Sequence, residues 1–230
     1  MAEDPEAVEA IAKAIFDSQV AQLDAEISEV EFDFGEFSEF FIELERESDR
    51  AFAIISFSYI ETICVELMSR HLITDIPGGR SGLFGVTGPL DTMHSRILVC
   101  RALNWISEMS FNNLTILRKI RNEFAHSHKK IGLDSGRILD YIKNIGNIED
   151  HMLSKLTDSR SLNNREKLHV RSILICEFMI EELLASPIAS RMGLPSNVAS
   201  RRSFDQLPES FQRARRSAAT AIVHLVRQEP

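Results

Sequence analysis

The sequence predicts an all-α protein, a single helical bundle of about six to eight helices. Three observations carry that reading. Apolar residues recur at every third or fourth position through most of the 230 residues. No stretch alternates apolar and polar residues at the period of a strand. Half of the ten glycines fall within 74–89, which leaves the flanking runs uninterrupted.

Asp4 before Pro5 reads as an N-cap with proline at the first helical position, and Val8, Ile11, Ile15 and Leu23 give this first helix an apolar face. The aromatic run Phe32, Phe34, Phe37, Phe40 and Phe41 follows, read as core, with a partner groove including Trp105, or a dimer interface if solvent-facing, as the alternative. From Ser38 to about Ile73 the spacing of Phe41, Leu44, Phe52, Ile55, Tyr59, Ile63 and Leu67 is helical; Ser48-Asp49 either caps a new helix there or lies inside a long one. The segment TDIPGGRSGLFGVTGP must be a structured turn. It lacks the Gly-Lys-Ser/Thr ending of a P-loop and follows a helix rather than a strand, so nucleotide binding there is disfavoured.

Further helices are expected over about 90–107, 111–128, 136–157 and 162–185, with Ser110 and Ser161 as caps. Residues 186–207, with Pro187, Gly193 and Pro195, read as a linker. A last amphipathic helix then buries Phe211, Ala214, Ala218, Ile222 and Leu225. The resulting division is an acidic helical arm (1–34), a central helical domain (35–185), the linker and a basic C-terminal helix (208–230).

The net charge of −8 is unevenly spread: residues 1–50 sum to −13, 51–190 to +1 and 191–230 to +4. An acidic arm and a basic tail attract each other, within a chain or between two. The sharper alternative is that Arg201, Arg202, Arg213, Arg215 and Arg216 meet nucleic acid phosphates. The overall acidity argues against a constitutive, high-affinity DNA binder. An acidic N-terminus and a longest nearly apolar run of only 51–60 are the expectation for a cytoplasmic protein without a membrane segment. Cys64, Cys100 and Cys176 lie far apart in apolar helical stretches and read as buried free thiols. The scattered histidines hold no metal-ligand spacing, and no cofactor is implied.

One polar cluster is too specific for ordinary helix surface. Arg121, Asn122 and His126, in RNEFAH, place a fixed cation, an amide and an imidazole within six residues, the parts of a phosphate-handling site. At about 100° per residue, Arg121 falls about 40° from Leu117, at the edge of the apolar stripe made with Ile120 and Phe124. Arg118, Asn122 and His126 form a second stripe, and His126 lies about 140° around the helix from Arg121. A shared site therefore calls for local unwinding near 125–126, or a second copy of the helix across a dimer axis. The structural alternative pairs Arg121 with a buried carboxylate, Glu61 or Glu66 being candidates, or with helix C-terminal carbonyls, and lets His126 and His128 complement the macrodipole.

The segments ESDRAFAIISFSYIETICVELMSRHLI, LFGVTGPLDTMHSRILVCRALNWI and ILRKIRNEFAH together resemble the mannitol repressor family, over about residues 46–131. Phe84, Gly85, Gly88, Pro89 and Leu90 match that family's turn, and Arg121, Asn122, Phe124, Ala125 and His126 its second motif. The resemblance implies an all-α regulator of a sugar-alcohol operon with no recognisable DNA-reading motif, acting through a protein partner in transcription; a homodimer is expected separately, from the angle between Arg121 and His126. The Arg-Asn-x3-His pattern is also similar to the Arg-x4-His signature of the HEPN ribonucleases. That likeness implies a metal-independent endoribonuclease in which Arg121 holds the scissile phosphate, His126 exchanges protons and Asn122 orients one of them. Arg118 and the tail arginines are the candidate nucleic-acid-binding residues.

Overall fold

The computed structural model describes residues 5–28, 34–73, 75–146, 162–192, 194 and 203–227. Among these residues it is all-α, with no strand. The helices are α1 (Pro5–Ser28), α2 (Phe34–Glu43), α3 (Asp49–His71), α4 (Gly79–Phe84), α5 (Met93–Ala102), α6 (Glu108–His126), α7 (Gly136–Asn144), α8 (Asn164–Arg191) and α9 (Glu209–Arg227).

The centre of the bundle is α8, which is buried on nearly every side because all of its faces meet other helices. It packs against α3, α6, α7, α1 and α9, while α2 lies along α9 and α5 closes over α3 and α6. One contiguous core runs from Leu23 and Ile27 of α1 through Phe52, Leu67, Phe124 and Ile173 to Phe211 and Leu225 of α9. The arm and the C-terminal helix thus share the core of the central segment. Arg191 to Glu26 (3.8 Å) and His224 to Glu45 (3.7 Å) are contacts between the basic end and the acidic end within one chain.

Caps decide several boundaries. Ser48 accepts from the Ala51 N–H, so it starts α3 rather than lying inside a longer helix. The cap of α6 is Ser107, not Ser110; Ser110 occupies the third helical position and donates its N–H to Ser107 Oγ at 3.1 Å. Asn163 and Glu166 form a capping box at the start of α8. Ser161 lies outside the described residues, as does the end of the helix expected over 136–157, whose described part closes at Asn144.

The linker expected from 186 begins later, because α8 runs through Pro187 to Arg191. Proline there removes a hydrogen bond to the Leu183 carbonyl. His71, at the end of α3, interacts with that carbonyl, and the turns around Pro187 are buried in the core, so packing holds the helix past its breaker.

The first helix also departs from expectation. Only Leu23 and Ile27, in its C-terminal half, enter the core; Val8, Ile11, Ile15 and Phe16 are all exposed. In contrast, the aromatic run is core rather than a partner groove. Phe34, Phe37 and Phe41 are buried and Phe40 stacks on Tyr59 at 3.8 Å, while Phe32 lies outside the described residues. Trp105 is buried edge-on to His71. By length and composition α3 could cross a membrane, but half of its apolar window is buried within the bundle. The three cysteines are free and buried.

His169 of α8 is locked between layers: Nε2 donates to the Phe41 carbonyl at 2.8 Å, and the ring packs on Phe52. Burial first, then the nearby Arg165 charge, lowers its pKa from 6.5 to about 4. The unfolded chain therefore takes up this proton first on acidification. Stability from this group is complete above pH 6.5, falls as pH drops towards 4 by up to about 3 kcal/mol, and is constant below. Burial raises Glu177 and Glu182, which act in the opposite sense at acid pH. Urea unfolding of wild type and His169→Gln, which keeps a donor for Phe41 but does not titrate, isolates the effect. The wild type is expected to lose about 3 kcal/mol relative to the variant between pH 7 and pH 4; parallel profiles would refute it.

Candidate functional site

The helix carrying RNEFAH is fixed at both ends. At its start, the Ser107 N–H donates to Glu182 of α8 at 3.1 Å, and along it Asn113 Oδ1 accepts from the Gly146 N–H at 3.2 Å. At its end, Arg50 of α3 donates from Nη2 to the carbonyls of Ser127 (2.8 Å) and Lys129 (3.1 Å). Ser127 closes a local turn on Lys129 through its hydroxyl. Leu114, Leu117, Ile120 and Phe124 bury one face of α6. The helix remains regular to His126, so no unwinding brings Arg121 and His126 together within one chain.

Arg121 is half-buried at the edge of that face and donates from Nη1 to Asn122 Oδ1 at 3.1 Å. Among the described residues no carboxylate pairs with it. The two candidates are engaged elsewhere: Glu61 holds Arg96 at 2.7 Å, and Glu66 contacts Arg80 at 3.3 Å and Arg70 at 3.5 Å. The arginine that binds carbonyls beyond the helix end is Arg50, not Arg121. Both carboxylate and carbonyl versions of the structural reading of Arg121 are thereby corrected. Arg118 has no ion pair among the described residues either, and the Nε atoms of Arg118 and Arg121 are both buried without a hydrogen-bond partner there.

Asn122 joins the two halves of the motif. It is held by Arg121 on one side, and with Glu123, His126 and Ser127 it lines a shallow groove of about 320 Å³ on the other. His126 is exposed in the last turn, where its imidazole also suits the negative end of the helix dipole. The acid in this groove, Glu123, is paired with Arg137 at 2.9 Å. Arg121 and His126 remain on different faces of α6, with Asn122 the residue common to both.

The glycine-rich turn has a structural explanation. Arg96, nearly fully buried, donates from Nε to the Leu90 carbonyl, from Nη2 to the Asp91 carbonyl (both 2.8 Å) and from Nη1 to Glu61. Gly88 lies so close to the Leu83 and Gly82 carbonyls that any Cβ would strike backbone. Phe84 and Leu90 pack where this arginine ties the turn to α3. Sequence reading placed the turn but missed Arg96; a lone arginine seven residues past the Gly88-Pro89 pair was its only trace.

The tail arginines divide. Arg215 is not a free phosphate ligand: its guanidinium is taken by Glu181 (2.7 and 2.8 Å) and Glu177 (3.5 Å) of α8. Arg216 donates to Gln212 at 2.9 Å and sits over the Phe204 ring, and Arg213 is exposed. Arg201 and Arg202 lie outside the described residues. Among the described residues no three His, Cys, Asp or Glu side chains cluster to hold a metal ion.

Comparison with family models, with curated proteins and with solved structures finds no match for this chain.

Proposed function

We propose that this chain is a cytoplasmic, metal-independent endoribonuclease of the HEPN type that works as a homodimer. The observation that carries the reading is the state of Arg121: a half-buried guanidinium with no carboxylate partner among the described residues, steadied by Asn122, on a helix whose end exposes His126. The arginines that tie elements together are held either by carboxylates, as Arg96 and Arg215 are, or by backbone carbonyls, as Arg50 is, and among the described residues Arg121 has neither kind of partner. An arginine kept charged is what a pentacoordinate phosphate needs.

In this mechanism the 2′-hydroxyl attacks the adjacent phosphorus and the bond to the 5′-oxygen breaks, leaving a 2′,3′-cyclic phosphate and a free 5′-hydroxyl. His126 exchanges the protons, Arg121 binds the non-bridging oxygens, and Asn122 holds the guanidinium in place. Because Arg121 and His126 occupy different faces of a regular helix, two copies of α6 across a dimer axis would complete the centre, one supplying Arg121 and the other His126.

Purified protein incubated with labelled single-stranded RNA in excess EDTA is expected to generate cyclic-phosphate ends, and DNA is expected to stay intact. His126→Ala should lower the rate by about 10²-fold or more while the variant stays folded by circular dichroism. Mixing it with Arg121→Ala should restore about a quarter of wild-type activity, since half the dimers are mixed and each holds one intact centre. Intact RNA across many sequences would sink the proposal.

A second reading, a mannitol-repressor-like regulator acting through a protein partner in transcription, has one observation in its favour. The exposed row of Val8, Ile11, Ile15 and Phe16 on an acidic helix is amphipathic surface of the kind that docks in an apolar groove. Intact RNA in the same assay would favour this reading.

A further inference from the structure

Beside the groove lined by Asn122 and His126 lies a larger concavity of about 710 Å³, where the start of α3 meets the segment after α6. Its lining includes Ser48, Asp49, Arg50, His128, Lys129 and Lys130. The two concavities adjoin along the chain, since Ser127 lines the first and His128 the second. The charge of the larger one is nearly unopposed. Its acid, Asp49, is already committed, with one oxygen at 3.2 Å from Arg165 and the other accepting the Leu133 N–H. Arg50 is bonded to carbonyls, so its positive charge is not cancelled. Lys129 and Lys130 are exposed, and neither has an ion pair among the described residues.

We propose that this cleft is the track along which single-stranded RNA enters or leaves the Arg121 and His126 centre, its backbone phosphates held by Arg50, Lys129 and Lys130. The proposal rests on the ribonuclease reading only for the phosphate that reacts. A strand whose scissile phosphate sits beside Asn122 and His126 meets this cleft next, because a single turn, closed by Ser127 on Lys129, separates them. The volume lies in the range of ordinary ligand sites and is enough for a short run of nucleotide backbone. The lining holds no Phe, Tyr or Trp, and His128 is its one aromatic ring, so the contacts are chiefly to phosphates and carry little sequence. Arg50 then has two roles: it fixes the end of α6, and it places the track at a set distance from His126.

The test uses a labelled single strand of about twelve 2′-deoxynucleotides, within the site size of such grooves and immune to 2′-hydroxyl attack. Its binding to the full chain is followed by fluorescence anisotropy across a salt series. Lys129→Ala/Lys130→Ala, two exposed positions whose loss should leave the circular dichroism spectrum unchanged, is expected to weaken binding about tenfold at low salt. It should also make the slope of log K against log salt shallower by about 1.4, or about 0.7 per lost phosphate contact. An unchanged slope overturns the track, even if the wild type cleaves RNA. A reduced slope upholds the track as a binding surface, even if the wild type leaves RNA intact and the ribonuclease reading falls. Loss of binding with a mixed-sequence strand but not with a homopolymer would show base readout and also overturn it.

Discussion

Replacing Arg215 with alanine is expected to lower the stability of the fold by about 3 kcal/mol, the low end of the cost of breaking a buried pair, because this arginine is 32% exposed. Its guanidinium makes a two-pronged contact with Glu181 and a longer one with Glu177, joining α9 to the central helix. Burial, and then the neighbouring Glu181, hold the Glu177 carboxyl well above the usual carboxylate range even with the arginine in place. Without it two carboxylates would face each other in the core with no cation. A raised folded value means stability that is present at low pH and lost as pH rises past the ordinary carboxylate value. The deficit of the variant should accordingly be larger at pH 8 than at pH 5 in urea unfolding. Adding Glu177→Gln or Glu181→Gln to Arg215→Ala should recover part of it. Equal deficits at both pH values, with no rescue by glutamine, would assign Arg215 to packing alone.

This ion-pair cluster also marks where sequence reasoning stops. Five arginines in a basic tail are legible as charge, but whether each faces solvent depends on the rotation of α9 against α8. The apolar face of α9 was readable from Phe211, Ala214, Ala218, Ile222 and Leu225, all of which are buried. Arg215 lies next to Ala214, at the margin of that face, and its partners are acids on α8 over thirty residues earlier. Glu177 and Glu181 would be unremarkable on a surface helix. They become buried only because α8 is surrounded, which its mixed periodicity does not announce.

The helices themselves were largely legible because each rests on local signals: Ser48 ahead of an apolar run, the glycines of 74–89, and the 3.6-residue spacing of α6 and α9. The departures have a common physical origin in tertiary packing. Pro187 reads as a breaker, yet the helix continues because the core around it offsets one lost hydrogen bond. Val8, Ile11 and Ile15 read as a core face, yet α1 has neighbours only along its C-terminal half. In the candidate site, RNEFAH was identifiable from residue types alone. That Glu61 and Glu66 were already occupied could not be seen without Arg96 and Arg80 in place.

Arg121→Lys is expected to leave the unfolding free energy within about 1 kcal/mol of wild type and to lower RNA cleavage by about 10²-fold or more. The stability expectation follows from the absence of a carboxylate partner among the described residues: lysine keeps the charge and most of the aliphatic stem at the edge of the core, so little is lost on folding. The rate expectation follows from the shape of guanidinium. Arg121 holds Asn122 with Nη1, and its planar fork still has a second terminal nitrogen with which to face a phosphate; an ammonium is a single point that cannot keep both directions. The fall should appear in kcat more than in KM, because the developing charge on phosphorus is what the fork matches. Asn122→Asp makes the complementary test. It keeps the acceptor for Arg121 but adds a carboxylate charge, turning the site into the neutralised pair that a structural arginine would have. If Arg121 serves the fold, this variant is at least as stable and functionally silent. If Arg121 serves a phosphate, it is at least as stable and inactive, since an anion now occupies the electrostatic place of the substrate. A variant that gains stability and loses cleavage separates the two roles of this residue more cleanly than its removal.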